Sequence, residues 1–335
     1  MRQSIDDRRG SVRCPAVGRL TALGPIPGAG GLPRLALLRA GLTLACGLMM
    51  PGAPALAIDY DLSIDLRAQV ADATPSFLRG QLGKLRSDDA ASLATSRLRL
   101  GLAQPLGEAW RAVADITISA DDPDAFGDLT EAYFEYRPYP QAGWRTRVKL
   151  GAFYAPISLE NRAAGWETPY SLSSSALNAW IGEELRTVGA ELQLDWLGTR
   201  MGSDFDAGLV VGLYGWNDFA GAFLAARGFR VQDRQTAVFG EVAQPGVKAY
   251  SLEPFLESDD RPGYYVGARV NYAGRLELRA LHYDNRGDPT VFVARVADYI
   301  WQTRFDAIGL RLETANGWTV IAQRMAGSTA IEPGG

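Results

Sequence analysis

From residue 58 onward, apolar and polar side chains alternate one for one in stretch after stretch. Ile58, Tyr60, Leu62, Ile64 and Leu66 alternate with Asp59, Asp61, Ser63 and Asp65. Leu98, Leu100 and Leu102 alternate with Arg97, Arg99 and Gly101, and Trp110, Ala112, Ala114, Ile116 and Ile118 with Arg111, Val113, Asp115 and Thr117. Thr146, Val148, Leu150 and Ala152 alternate with Arg145, Arg147, Lys149 and Gly151. A period of two sends the two sets to opposite faces of a strand. The pattern predicts thirteen strands, at 58–66, 94–103, 109–118, 129–137, 145–154, 185–197, 205–216, 235–242, 247–256, 263–272, 275–284, 303–314 and 318–326. No long helical period is present, and no apolar run reaches the roughly 18 residues that a transmembrane helix needs.

The connections between these segments alternate in length. Short ones at 104–108, 138–144, 198–204, 243–246, 273–274 and 315–317 carry Pro, Gly, Asn and Asp, which suit tight turns. Longer ones fall at 67–93, 119–128, 155–184, 217–234, 257–262 and 285–302. Short turns on one rim and long loops on the other form the layout of an outer-membrane barrel. The expected fold is therefore all-β, an antiparallel transmembrane β-barrel over 58–335. Thirteen strands is an odd number, whereas single-chain bacterial barrels have an even one, and 327–335 does not read as a strand. The expectation is a barrel of about 14–16 strands or more, C-terminally truncated in this sequence.

The first 57 residues read differently. An apolar stretch from Leu35 to Met50 follows a basic region, and Ala55-Leu56-Ala57 is a small-x-small cleavage pattern. Residues 1–57 are therefore expected to be an export signal, over-long enough to suggest a start placed upstream of the true one. Both cysteines, Cys14 and Cys46, lie in it, so residues 58–335 have neither a disulfide framework nor a thiolate metal site. Without the leader's seven Arg and two Asp, 27 basic residues face 36 acidic ones, which argues against a nucleic-acid partner.

Enzyme chemistry finds little support. The one histidine, His282, shares parity with Leu276, Leu278 and Ala280, which puts it on the apolar face near a rim. No His or Cys cluster has metal spacing, no P-loop or nucleophile elbow occurs, and no cofactor is implied. Asp121-Asp122-Pro123-Asp124 is an acidic run without a spaced calcium-loop pattern, and Arg286-Gly287-Asp288 sits in a turn-prone loop.

Charge placement is more informative. If the apolar faces meet lipid, then Arg97, Arg99, Arg111, Arg145, Arg147 and Lys149 line the interior, together with acids that include Asp115, Glu131, Glu135, Glu191, Asp195, Glu277 and Glu313. Such a basic strip raises the local concentration of anions. Tyr60, Trp110, Trp144, Tyr154, Trp196, Trp216, Tyr272, Trp301 and Trp318 fall near strand ends, where amphipathic rings form girdles at headgroup level. The connection 155–184 is long and apolar, with Leu159, Trp166, Tyr170, Leu172, Leu177, Trp180 and Ile181. Folded inward, this third long loop narrows the interior, with Glu160, Arg162, Glu167, Glu183 and Glu184 as constriction charges. Lying over the rim, it would serve a subunit contact instead.

The segment Val148-Lys149-Leu150-Gly151-Ala152-Phe153-Tyr154-Ala155-Pro156, with Glu160-Asn161, Gly165-Trp166-Glu167-Thr168-Pro169-Tyr170 and Trp180-Ile181-Gly182-Glu183-Glu184-Leu185-Arg186, resembles Gram-negative porins of the phosphate-selective O and P kind. The resemblance implies a barrel of about 16 strands, an inward third loop and a homotrimer, embedded in lipid and lipopolysaccharide. This chain departs from the family in ending at Gly335 rather than on an aromatic strand, and in lacking a dense inward ladder of Arg and Lys. The expected function is passive diffusion of small hydrophilic solutes or ions, leaning toward anions. A plugged structural or adhesive barrel and a soluble periplasmic glycan- or peptide-binding protein are the alternatives.

Overall fold

The computed structural model describes residues 58–70, 74–79, 81, 83–87, 91–119, 127–243 and 251–331. The leader, both cysteines and the acidic run at 121–124 lie outside these residues. Eleven strands form one continuous antiparallel sheet in chain order: β1 (Asp59–Val70), β2 (Ala91–Pro105), β3 (Trp110–Ser119), β4 (Gly127–Tyr136), β5 (Trp144–Phe153), β6 (Thr187–Trp196), β7 (Phe205–Gly215), β10 (Gly263–Tyr272), β11 (Leu276–Asp284), β14 (Gln302–Glu313) and β15 (Thr319–Ala330). Two small hairpins, β8 (Val242–Ala243) with β9 (Ser251–Leu252) and β12 (Phe292–Val293) with β13 (Asp298–Tyr299), stand apart from it. Two helices, α1 (Ala176–Glu184) and α2 (Ala222–Arg227), belong to long connections.

Two predicted strands are corrected. Residues 235–242 and the described part of 247–256, residues 251–256, contribute no strand to the main sheet, because β7 pairs directly with β10, from Phe205↔Tyr272 to Tyr214↔Gly263; residues 247–250 lie outside the described residues. Thr236, Ala237 and Val238 are buried in succession, which no strand with one free face allows. Val238 N–H instead donates to Leu129 at 2.9 Å and Thr236 N–H to Gly182 at 3.2 Å. Residues 327–330, which the pattern leaves outside any strand, continue β15 as far as Gln302↔Ala330. Among the described residues no ladder joins β1 to β15, so the sheet is open between its first and last strands.

The sheet is strongly curled. Its two ends meet the same 155–184 segment: Arg97 on β2 pairs with Glu167 at 2.7 Å, and Gln323 on β15 accepts a hydrogen bond from Asn178 at 2.8 Å. Tight curvature leaves little room on the inner face, and glycine supplies it. Tyr265 lies across Gly212 of the neighbouring strand, where a Cβ would collide with the ring, and at Gly327 a Cβ would collide with the Arg304 carbonyl and with Cα and Cβ of Phe305. A ring laid over a cross-strand glycine pins register as well as shape. The inner rings continue across strands as a stacked row, Tyr214–Tyr283 at 5.2 Å and Tyr283–Phe305 at 4.8 Å, against which Trp180 of α1 packs edge-on at 5.6 Å.

The two faces are inverted relative to a water-soluble sheet. The convex face carries exposed Leu62, Ile64, Leu66, Leu192, Leu209, Val211, Leu213 and Ile308. The concave face buries Arg99, Asp115, Glu135, Glu191, Asp195 and Glu277. At the short-turn rim the convex face ends in aromatic pairs, Trp110–Tyr136 at 5.0 Å and Phe205–Tyr272 at 4.8 Å, with Trp144 opposite Trp196. Tyr154 departs from the girdle expectation: it is buried on the concave side. Trp301 is partly covered. His282 keeps its expected place on the convex face near the long-loop rim, with Nδ1 2.8 Å from Asp306.

Candidate functional site

The curl encloses a cavity of about 720 Å³ towards the short-turn rim, and its lining includes residues of β1 to β7, β10 and β11 and of the 155–184 segment. Five of the six basic residues expected to face inward, Arg99, Arg111, Arg145, Arg147 and Lys149, line it, as does Arg162 of the inserted segment. Parity along the strand delivers them, since each shares a face with the others two residues away. Arg269 and Arg279 complete the set and were not singled out in the sequence. The same parity signal marks both, as each alternates with Ala268 and Val270 or with Leu278 and Ala280.

Charges in this wall are layered. Glu135, Glu191 and Asp195 are each 1% exposed, buried against the sheet, while the cations paired with them reach further out. Arg111 Nε meets Glu135 at 2.6 Å, and Arg145 and Arg269 share Asp195 at 2.9 Å each. Arg147 lies between Glu135 and Glu191, at 4.0 and 3.8 Å. Arg99 is gripped from both sides, by Asp115 at 2.8 Å and Asp61 at 2.7 Å. Lys149 enters no ion pair among the described residues; its ammonium sits 4.9 Å from the Tyr133 ring and 5.2 Å from that of Phe153. Positive groups thus stand towards the enclosed space with their counter-charges behind them. Arg99 Nη2, Arg147 Nε, Asp115 Oδ1 and Glu191 Oε1 are buried without a hydrogen-bond partner in the protein. Orphaned donors and acceptors cost about 1–3 kcal/mol each unless water reaches them, so the wall suits a hydrated interior.

The 155–184 segment is tied down on several sides. Arg162 pairs with Glu277, which also holds Arg279 at 2.6 Å, and Arg279 donates to the carbonyls of Pro156 and Ser158 at 2.9 and 3.1 Å. Opposing pulls act on Glu277: burial raises the cost of its charge, and the two guanidiniums repay it. On the far side the backbone of Gly165 lies against the Arg99 guanidinium, where a Cβ would overlap it. Gly165 and Trp166 both adopt left-handed φ, 64° and 56°. Trp166 stacks on Tyr154 at 4.2 Å, and Tyr154 is backed by the fully buried Arg186, whose guanidinium carbon lies 4.3 Å from its ring centre. Gly165→Ala should destabilise the protein by about 1–3 kcal/mol, because neither the backbone nor the doubly paired Arg99 can retreat. A lowered unfolding midpoint and faster proteolysis within 155–184 would report it, and an unchanged melt would refute it.

The expected constriction charges separate into two groups. Arg162 lines the larger cavity, while Glu167, with Arg97, lines a second cavity of about 340 Å³ on the long-loop side. Glu160 lines neither; its carboxylate accepts the Ser175 N–H at 2.5 Å. Glu183 and Glu184, expected at the constriction, line neither cavity because both are buried at the end of α1. Glu183 meets Arg227 at 2.7 Å and Gln232 at 2.6 Å. Glu184 caps α2, accepting the N–H groups of Phe223 at 2.6 Å and Leu224 at 3.2 Å and the Trp180 indole N–H.

Further charges near the long loops had no sequence signal, because distant segments bring them together. Asp233 meets Arg67 at 2.6 Å and Arg86 at 3.1 Å. Burial pushes its carboxyl up, but the guanidiniums of Arg86, Arg67 and Arg97 outweigh that and hold it below the usual range. Asp218, Glu257 and Asp259 place carboxylate oxygens within 4.8 Å of one another. Burial, with Glu257 and Asp259 adding to it, pushes Asp218 up to about 7. Balance in that group comes from a retained proton or from a hard cation.

Comparison with family models and with curated proteins finds no match to this chain.

Proposed function

We propose that this chain is a passive pore of the bacterial outer membrane for small hydrophilic solutes, leaning toward anions. The observation that carries the proposal is the inversion of the sheet: leucines exposed on the convex face, and carboxylates and guanidiniums enclosed on the concave one. Water gives no reason for that arrangement, whereas hydrocarbon outside and water inside require it. Aromatic pairs along the short-turn rim support the same reading, since such rings favour the membrane interface. Transport in this reading is selection without covalent chemistry. Solutes are sorted by the size of the passage and by the field of guanidiniums whose carboxylates are recessed behind them.

A second reading has its own observation. The stacked inner row and α1 form an apolar cluster with Trp166, Trp180, Ile181, Leu185, Tyr265 and Phe305 towards the long loops. A lumen filled there would make the protein a plugged structural barrel. Two measurements separate the readings. Expressed in a Gram-negative host, the chain is expected in the outer-membrane fraction, and recovery in the soluble periplasm would overturn both. Purified protein in planar bilayers is expected to give stepwise conductance with chloride favoured over potassium. A membrane-located but silent protein favours the plug.

A further inference from the structure

The connection from β7 to β10 makes an excursion over the concave side and comes back to where it began. Phe219, Ala222 and Phe223 on the way out and Val242 on the way back are buried in one apolar cluster with Val296. Residues 224–241 thus leave a fixed base and return to it, as a loop with closely spaced ends does. The base belongs to the last strands: Thr303 of β14 donates to the Ala220 carbonyl, and Trp301 N–H donates to that of Asp218 at 2.8 Å. The tip reaches the first ones. Asp233 meets Arg67 of β1 at 2.6 Å and Arg86 at 3.1 Å, Arg230 donates to the Gln81 carbonyl at 2.7 Å, and Val238 N–H donates to Leu129 of β4 at 2.9 Å. Strands that share no ladder are bridged in this way on the long-loop side, and Asp233 and Gln235 line the smaller cavity beneath.

We infer that residues 224–241 are a gate of the proposed pore: a flap latched across the long-loop mouth by the contact of Asp233 with Arg67 and Arg86, closed in this structure and opened when the latch lets go. The inference rests on the pore reading and adds its regulation. Base and tip are held by different forces, which lets one move while the other stays. Buried hydrocarbon fixes the base. Of the large apolar side chains at 229–239 only Val238 is buried; Phe229, Val231 and Phe239 stay exposed. Polar contacts seat the tip instead, with Gln232 on Glu183 at 2.6 Å added to the latch. Their pairing is incomplete. Arg230 Nη2, Gln232 Oε1, Gln235 Oε1 and Thr236 Oγ1 are buried without a hydrogen-bond partner in the protein. Lifting the tip gives those atoms water, which offsets part of what the lost contacts cost. The joint between α2 and the tip is Gly228, at a left-handed φ of 68° with open space where a Cβ would stand. A glycine in that position absorbs a change of chain direction without a clash.

The test records single channels of the full chain in planar bilayers. Asp233→Asn should raise the ratio of open to closed time by about tenfold or more, since it breaks a buried charge contact, and should leave the current of each opening unchanged. Arg67→Gln breaks the latch from the wall's side and should do the same, which guards against a folding defect in either variant. A lock supplies the converse. Residues 58–335 hold no cysteine, so Arg67→Cys with Asp233→Cys places a thiol pair across the latch. A reducible bifunctional thiol reagent should close that channel and reduction should reopen it, while each single cysteine variant ignores the reagent. A conducting wild type whose open time is moved neither by the variants nor by the lock would overturn the gate and spare the pore. So would a change in unit current at constant open time, which would make Asp233 a charge of the passage. Silence from every form would overturn both readings, whereas a silent wild type opened by Asp233→Asn or Arg67→Gln would support the gate.

Discussion

Leu209→Arg and Leu192→Arg should each cripple assembly into the membrane. The two leucines lie on the convex face of β7 and β6, 61% and 51% exposed, in the middle of their strands. In a bilayer a guanidinium at mid-depth on the lipid face costs about 2–4 kcal/mol. In water the same change at an exposed site falls within about 0.5 kcal/mol. The difference is large enough to decide the environment of that face in one experiment. Lys149→Gln is the internal comparison: it changes the charge of the enclosed wall without touching the convex face. Outer-membrane yield and the urea midpoint in lipid vesicles should drop for the two leucine variants and hold for Lys149→Gln, whose effect should appear as a weaker chloride preference. Two arginine variants as stable and abundant as wild type would mean that the convex face meets water.

This prediction can be framed because the alternation in β1 to β7 was legible in the sequence. In each of those strands apolar residues face the convex side and charged ones the concave side, so a period of two is the whole signal. The same rule marks Arg99, Arg111, Arg145, Arg147 and Lys149 in the sequence, and Arg269 and Arg279 carry the same mark. Where both faces are covered, the rule fails. Residues 235–242 look strand-like because Thr236, Ala237 and Val238 are small or β-branched, yet they are buried inside the curl against α1 and β4 and pair with no neighbouring strand. Residues 327–330 fail in the opposite direction. Gly327 has poor strand propensity, but any side chain there would collide with the Arg304 carbonyl and with Cα and Cβ of Phe305. Propensity gave way to the need of a residue on the next strand. The inserted segment was legible by its apolar content, but not the roles of its acids. Glu160, Glu167, Glu183 and Glu184 look alike in sequence and end in three environments, because those are set by partners as distant as Arg97 and Phe223.

Those partners make Glu184 the residue through which pH should act on the inserted segment. Its carboxyl is fully buried at the end of α1, where burial pushes it from an ordinary value of 4.5 up to about 8. The N–H of Phe223 pulls the other way without offsetting burial, and Glu183 beside it adds to the rise. The unfolded chain releases this proton near 4.5 and the folded chain only near 8, so between those values the folded state binds the extra proton. Stability from this group is complete below the lower value, falls as pH rises through the interval, and levels off above the upper one. Loss over the full interval is on the order of a few kcal/mol. Asp218, raised to about 7, adds a loss of the same sign that ends lower. Asp233, held below its ordinary value, has the opposite sign and acts only at acid pH. Glu184→Gln keeps one oxygen, for the N–H of Phe223 or of Leu224, and has no proton to lose. Unfolding midpoints measured from pH 5 to pH 9 should therefore fall more steeply for wild type than for Glu184→Gln, with the variant the more stable of the two at the alkaline end. Parallel curves would mean that the carboxyl ionises within the fold as easily as in water, and that the clasp between α1 and α2 holds a carboxylate at neutral pH.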